Sequence, residues 1–191
     1  MKNKTRNIAL AVSSLIAVLP VFTVQAAEED LAECQQGVSD LLKADSGLQK
    51  FMDNSTGYAV FPNVGKGGLI VGGAHGKGCV FEKTNFVGHA TMSQASIGAQ
   101  VGGQTFAEII FFETPAALAD FKSGKFEVSA DVSAVAAREG ASAAANYKEG
   151  VAVFTLPKKG LMAQAAVGGQ KFKFEPAPME PTGRPAPKPN Q

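Results

Sequence analysis

The sequence predicts an α+β fold, with N-terminal amphipathic helices and one inserted helix packed on a large, strongly bent antiparallel β-sheet that curls towards a barrel. Three observations lead there. Apolar residues recur at helical spacing only before residue 55 and again near residue 118. From Gly57 onward the chain is a series of short apolar or alternating runs separated by glycine. Glycine pairs sit at the ends of runs of small residues, where close backbone approach lets a sheet bend.

Glu28 to about Ala44 reads as the first helix. Glu28, Glu29 and Asp30 fall in its first turn, where the dipole favours acids, and Leu31, Cys34, Val38, Leu41 and Leu42 share one face. A second short helix is expected to be capped by Ser46, with Leu48, Phe51 and Met52 as its apolar side. Both helices carry mixed polar faces without a lysine-rich side, so core packing is expected of them rather than membrane binding.

The expected strands follow in order. "GYAVFP" ends at Pro62, and "GGLIVGGA" and "GCVFE" are separated by a tight turn at His75-Gly76-Lys77. "HATMSQASIGAQVGG" and the buried-looking "FAEIIFFE" come next. Thr114-Pro115 starts a helix as cap and first-turn proline, and Gly124 stops it. "FEVSADVSAV" alternates cleanly and reads as a half-buried antiparallel strand. "VAVFTL", "GLMAQAAV" and "QKFKFE" complete the set. "AQVGGQTF" (Ala99 to Phe106) is echoed by "AAVGGQKF" (Ala165 to Phe172), one local solution used twice rather than a solenoid repeat.

The two ends set the compartment. Lys2, Lys4 and Arg6 precede a nearly unbroken apolar run from Ile8 to Val24, and Val24-Gln25-Ala26 has the form of a signal-peptidase site. Residues 1–26 are therefore expected to be a signal peptide, the alternative being a short membrane anchor. Without Lys2, Lys4 and Arg6 the 18 basic residues become 15 against 17 acidic ones, a net charge of −2. That excludes general nucleic-acid binding, which needs a basic surface. Residues 176–191 hold a proline-rich run that reads as an extended tail. One domain over residues 27–175 remains, placed by the leader in the periplasm of a Gram-negative cell. Cys34 and Cys79 could be bridged in that compartment or could be two buried thiols. A bridge would contribute about 3–4 kcal/mol by closing a long loop.

The stretch "GKGGLIVGGAHGKG", residues 65–78, invites a phosphate-loop reading. A P-loop would need glycine at Val71 and a hydroxyl at Gly78, and a dinucleotide fingerprint from Gly65 would need glycine at Ile70. Neither leads into a helix N-terminus, the usual source of anion affinity. His75 and His89 are the only histidines, and with Cys34 and Cys79 they match no compact metal-ligand spacing. No nucleophile elbow is present, so neither catalysis nor a cofactor is expected.

The ordered blocks "TGYAVFPNVGKGGLIVGGAHGKGCVFE", "ASIGAQVGGQTFAEIIFF" and "ALADFKSGKFEVSADVSAVA" resemble the SYLF domain, a module shared with yeast and animal actin-patch regulators. The resemblance covers roughly Leu31 to Phe174. It implies a non-enzymatic module that binds phosphoinositides or other anionic phospholipids at a membrane surface. Actin, the partner of eukaryotic members, is not expected in the periplasm. The chain departs from the family at Phe86-Val87-Gly88, where many members carry a tryptophan-serine pair. It departs again at "AREGASAAANY", where many carry Gly-Pro-x-Gly-Arg. Lysines beside glycine turns are the candidate lipid contacts: Lys66, Lys77, Lys158 and Lys159. Lys66 and Lys77 are expected at opposite ends of an extended strand, roughly 35 Å apart. The alternative function is a structural or stress-related envelope protein acting through protein or peptidoglycan contacts.

Overall fold

The computed structural model describes residues 22–67, 71–97, 103–128, 132–159 and 169–178. Among them the chain forms three α-helices, a short 3-10 turn and one seven-stranded sheet. The elements run α1 (Phe22–Ala44), α2 (Leu48–Asn54), β1 (Gly57–Gly67), β2 (Val71–Glu82), β3 (Asn85–Ile97) and β4 (Gln104–Phe112). Then come α3 (Pro115–Lys122), β5 (Val135–Ala136), the 3-10 turn (Ala141–Ala144), β6 (Val151–Lys159) and β7 (Gln170–Pro176). Strand order is β5-β6-β4-β1-β2-β3-β7.

The α+β class with a bent sheet holds, and several details differ from expectation. α1 starts at Phe22, so Glu28, Glu29 and Asp30 lie beyond its first turn. Ser46 does not cap α2; Gly47 occupies that position and the Ser46 hydroxyl donates to Glu139 Oε1 at 3.0 Å. Thr114 does cap α3, accepting from the Ala117 N–H at 3.2 Å. β1 continues through Pro62, because a bulge there absorbs the missing N–H: its register shifts against both neighbours around this residue. α1 sits close on the bulge; a Cβ at Gly37 would come within 2.9 Å of the Pro62 Cβ. β2 is a single strand, and His75-Gly76-Lys77 lies in its middle, paired with β1, rather than in a turn. The expected strand "GLMAQAAV" lies outside the described residues.

"FEVSADVSAV" differs most. Its alternation does sort faces, since Val128 and Val132 are buried while Glu127 and Ser133 are exposed. It is not, however, one antiparallel strand. Glu127 pairs with Lys171 of β7, and Val128 exchanges backbone bonds with Gln170 and Gly169. Further on, Val135 and Ala136 pair with β6 in parallel. The segment therefore reaches from one edge of the sheet to the other, and the sheet is mixed and open rather than purely antiparallel or a closed barrel.

Two cores form on the two faces. The concave one holds Phe61, Val64, Met92, Phe106, Ile110, Phe112 and Phe172, and α3 plugs it with Leu118 and Phe121. Phe121 packs its ring 4.9 Å from Phe112 and 5.0 Å from Phe172. Gly78 makes room for this core, because a Cβ there would overlap the Val60 carbonyl and the Phe61 ring. The convex core lies under α1 and α2, with Leu41, Leu48, Phe51, Val60, Phe81, Phe111 and Phe154. The sequence echo maps onto these layers: Gln104 and Gln170 open β4 and β7, and Phe106 and Phe172 both point into the concave core.

Cys34 on α1 and Cys79 on β2 are joined as a disulfide, with the Cα atoms 6.1 Å apart. Reduction, or the paired change Cys34→Ser with Cys79→Ser, is expected to lower unfolding free energy by about 3–4 kcal/mol in a denaturant titration. An unchanged midpoint would show that core packing alone holds α1 on the sheet.

Candidate functional site: a basic convex face

Residues directly opposite in an antiparallel pair share a face. The registers therefore place each lysine. Lys173 is opposite Thr91, Thr91 opposite Lys77, and Lys77 opposite Asn63. Two residues along, Lys171 is opposite Ser93, Ser93 opposite His75, His75 opposite Gly65, and Gly65 opposite Thr105. Thr105 in turn pairs with Lys159, whose side chain lies outside the description. These two neighbouring rows alternate amines and an imidazole with hydroxyls. Lys77, Lys171, Lys173, His75 and Ser93 are all exposed, and the carboxylate that joins a row is Glu127, which bridges to Lys171 at the outer end of the second row.

Lys158 joins them from β6. Its ammonium donates to Asn63 Oδ1 at 3.2 Å, and Asn63 donates to Glu33 Oε1 of α1 at 2.7 Å. The acids flank the rows. Lys173 donates to Glu175 at 2.7 Å, with side chains 76% and 63% exposed, so solvent screens the pair. Lys77 borders a small cleft with Asp30 and Glu33 of α1. Across two strand spacings Lys77 and Lys173 stand roughly 10 Å apart. That spacing suits several separate anions on a surface better than one phosphate.

Lys66 does not belong to this face. It is opposite Ala74 and Gln104, and Ala74 is buried in the concave core. Lys77 pairs only three residues away from Lys66, so the two are offset by about 10 Å along neighbouring strands and point to opposite sides. The bulge at Pro62 does not undo this. Lys171 and Lys173 are the residues that glycine-based reasoning missed. Their signal was the period-2 run "QKFKFE", which sends Phe172 and Phe174 inward and the lysines outward.

Behind Lys66 lies a fully buried polar pair. Gln170 Nε2 donates to Glu108 Oε2 at 2.9 Å, from β7 to β4 across the concavity. Burial pushes the Glu108 carboxyl up to about 7, although the Gln170 bond and the Lys66 charge both pull it down. Glu108 Oε1 has no hydrogen-bond partner among the described residues. Among the described residues no three His, Cys, Asp or Glu side chains gather as metal ligands, and no helix is long and apolar enough to cross a membrane.

A family model described as "Ysc84: Las17-binding protein actin regulator" matches residues 93–176, from within β3 to the end of β7. The chain carries a SYLF domain. Beta cell expansion factor A of Aeromonas veronii is 32% identical to it over 133 residues, 69% of this chain and 51% of that protein. The chain thus spans about half the length of this curated relative. The SYLF domain is a lipid-binding module, and the matched stretch contains Ser93, Thr105, Lys158, Lys159, Lys171 and Lys173 of the basic face.

The raised carboxyl has a testable consequence. Between its ordinary 4.5 and about 7, the folded chain holds a proton on Glu108 that the unfolded chain has lost. For this group stability is greatest below 4.5 and falls as pH rises to about 7, by roughly 3 kcal/mol. Glu108→Gln keeps a partner for Gln170 and removes the titration. It is expected to raise the melting temperature at pH 8 far more than at pH 5.5; equal shifts at both values would contradict the buried, proton-binding carboxyl.

Proposed function

We propose that this SYLF domain is a non-enzymatic lipid-binding module that docks its convex basic face on anionic phospholipid at the bacterial envelope. One observation carries the reading: strands β2, β3 and β7 set Lys77, Lys171 and Lys173 with Thr91, Ser93 and His75 on one exposed surface. Ammonium groups and hydroxyls together supply the donors that phosphate oxygens accept. Lysines roughly 10 Å apart meet separate headgroups, so affinity comes from summed attraction to a charged surface. The leader and periplasmic location belong to the same proposal and rest on the sequence alone.

Flotation with phosphatidylglycerol vesicles against phosphatidylcholine vesicles tests it. Binding is expected to the anionic vesicles only and to weaken as salt shortens the screening length. The triple variant Lys77→Glu, Lys171→Glu, Lys173→Glu is expected to lose binding by at least about tenfold with its fold intact. Equal binding by the variant, or no binding by the parent at low salt, would overturn the assignment.

A further inference from the structure

A cavity of about 680 Å³ lies away from the basic face, between α2 and the chain that carries the 3-10 turn. None of its lining residues belongs to the lysine rows. Its size falls in the range of small-molecule sites, about 300–1,000 Å³. The frame is fixed from below. The buried Asp45 carboxylate accepts from the Ser142 N–H at 2.7 Å, the Ser142 hydroxyl at 2.8 Å and the Gly47 N–H at 3.1 Å. Burial alone would raise the Asp45 carboxyl, but these bonds together hold it below its ordinary value, so it stays charged. Ser46 Oγ donating to Glu139 ties α2 to the loop a second time.

The walls carry charges of both signs beside aromatic rings. Phe51 and Tyr147 stand with ring centroids 5.4 Å apart. Glu139 is exposed and has no ion-pair partner among the described residues. Lys50, on α2, is likewise exposed and without one. Aromatic faces with a carboxylate attract an ammonium group, and an unpaired lysine attracts a phosphate. A simple cation would meet Lys50, and a simple anion would meet Glu139 and Asp45. A compact ligand bearing both charges satisfies both ends.

We propose that this cavity is a second ligand site, for a phosphoamine: its ammonium held by Phe51, Tyr147 and Glu139, its phosphate held by Lys50. The ligand is either a free phosphoamine or the zwitterionic headgroup of a lipid. This site stands independently of the basic face. The chain has no tryptophan, so its tyrosine emission comes from Tyr58 and Tyr147, of which Tyr147 lines the cavity, and Tyr147→Phe identifies the share that belongs to Tyr147.

The test titrates the full chain with phosphoethanolamine, ethanolamine and inorganic phosphate. Phosphoethanolamine is expected to change Tyr147 emission with at least about tenfold higher affinity than either fragment. Lys50→Glu is expected to remove that advantage while leaving ethanolamine binding in place, and Glu139→Gln to weaken both amines. Both positions are exposed, so the fold is retained, which circular dichroism checks. No emission change up to about 10 mM phosphoethanolamine, or an unchanged affinity in Lys50→Glu, would overturn the site; these are weak millimolar thresholds. Neutral phosphatidylethanolamine vesicles then assign the source: binding lost in Lys50→Glu means a lipid headgroup, and soluble binding without vesicle binding means a free phosphoamine. Anionic-vesicle binding is expected to be unchanged in Lys50→Glu, which separates this site from the basic face.

Discussion

The architecture depends on one constraint, the curl that brings the two edges of a seven-stranded sheet towards each other. Its clearest mark is the bond from Gln170 on β7 to Glu108 on β4, although β1, β2 and β3 lie between those strands. Phe172, two residues beyond Gln170, reaches Phe61 and Phe121 in the same concavity. Small residues on β2 permit the curvature, above all Gly78, behind which the Phe61 ring lies. The segment from Glu127 to Ala136 then touches β7 at one end and β6 at the other without completing the circle. A buried carboxyl with an unpaired oxygen is a costly element in such an interior. Its retention of a proton near neutrality is how the fold limits that cost.

Curvature also sorts the charges. A sheet with a packed concave side must send every second residue of β2, β3 and β7 outward, and there the sequence supplies lysine, histidine, serine and threonine, with Glu175 at the end of β7. α1 covers only part of the convex face, held by the Cys34–Cys79 bridge and by Pro62 packing against Gly37. The strands beyond its cover remain open to a surface. The cavity beside α2 arises separately, where Asp45 ties the helix end to Ser142 and leaves a gap above the Phe51 and Tyr147 rings. An open convex basic face and a small, partly open cleft differ in what they can recognise: the first reads charge density, the second the shape of one headgroup.

Much of the fold was legible in the residues. The helical stripe of α1, the Thr114-Pro115 start of α3 and the period-2 runs of the later strands are local patterns, and local patterns survive folding. Pro62 was misleading because a bulge is set by neighbours on both sides, which the sequence of one strand does not contain. His75-Gly76-Lys77 looked like a turn because glycine is permissive in both settings; the register with β1 decides it. "FEVSADVSAV" displayed the right faces, but pairing partners are non-local. The lysines show the same limit. Glycine context singled out Lys66 and Lys77 together, whereas side-chain parity around the bulge puts them on opposite faces. Lys171 and Lys173 carried the plainer signal in "QKFKFE", which became meaningful once β7 was seen to be an edge strand with an uncovered outer side.

Lysine acetylation footprinting by mass spectrometry, with and without anionic vesicles, tests most directly whether the curled sheet presents one basic face to lipid. Protection by vesicles is expected at Lys77, Lys171 and Lys173, with Lys66 on the concave side and Lys50 beside α2 unchanged. Protection of Lys66 with undiminished labelling of Lys77, Lys171 and Lys173 would contradict both the facing of the strands and the surface assigned to the membrane.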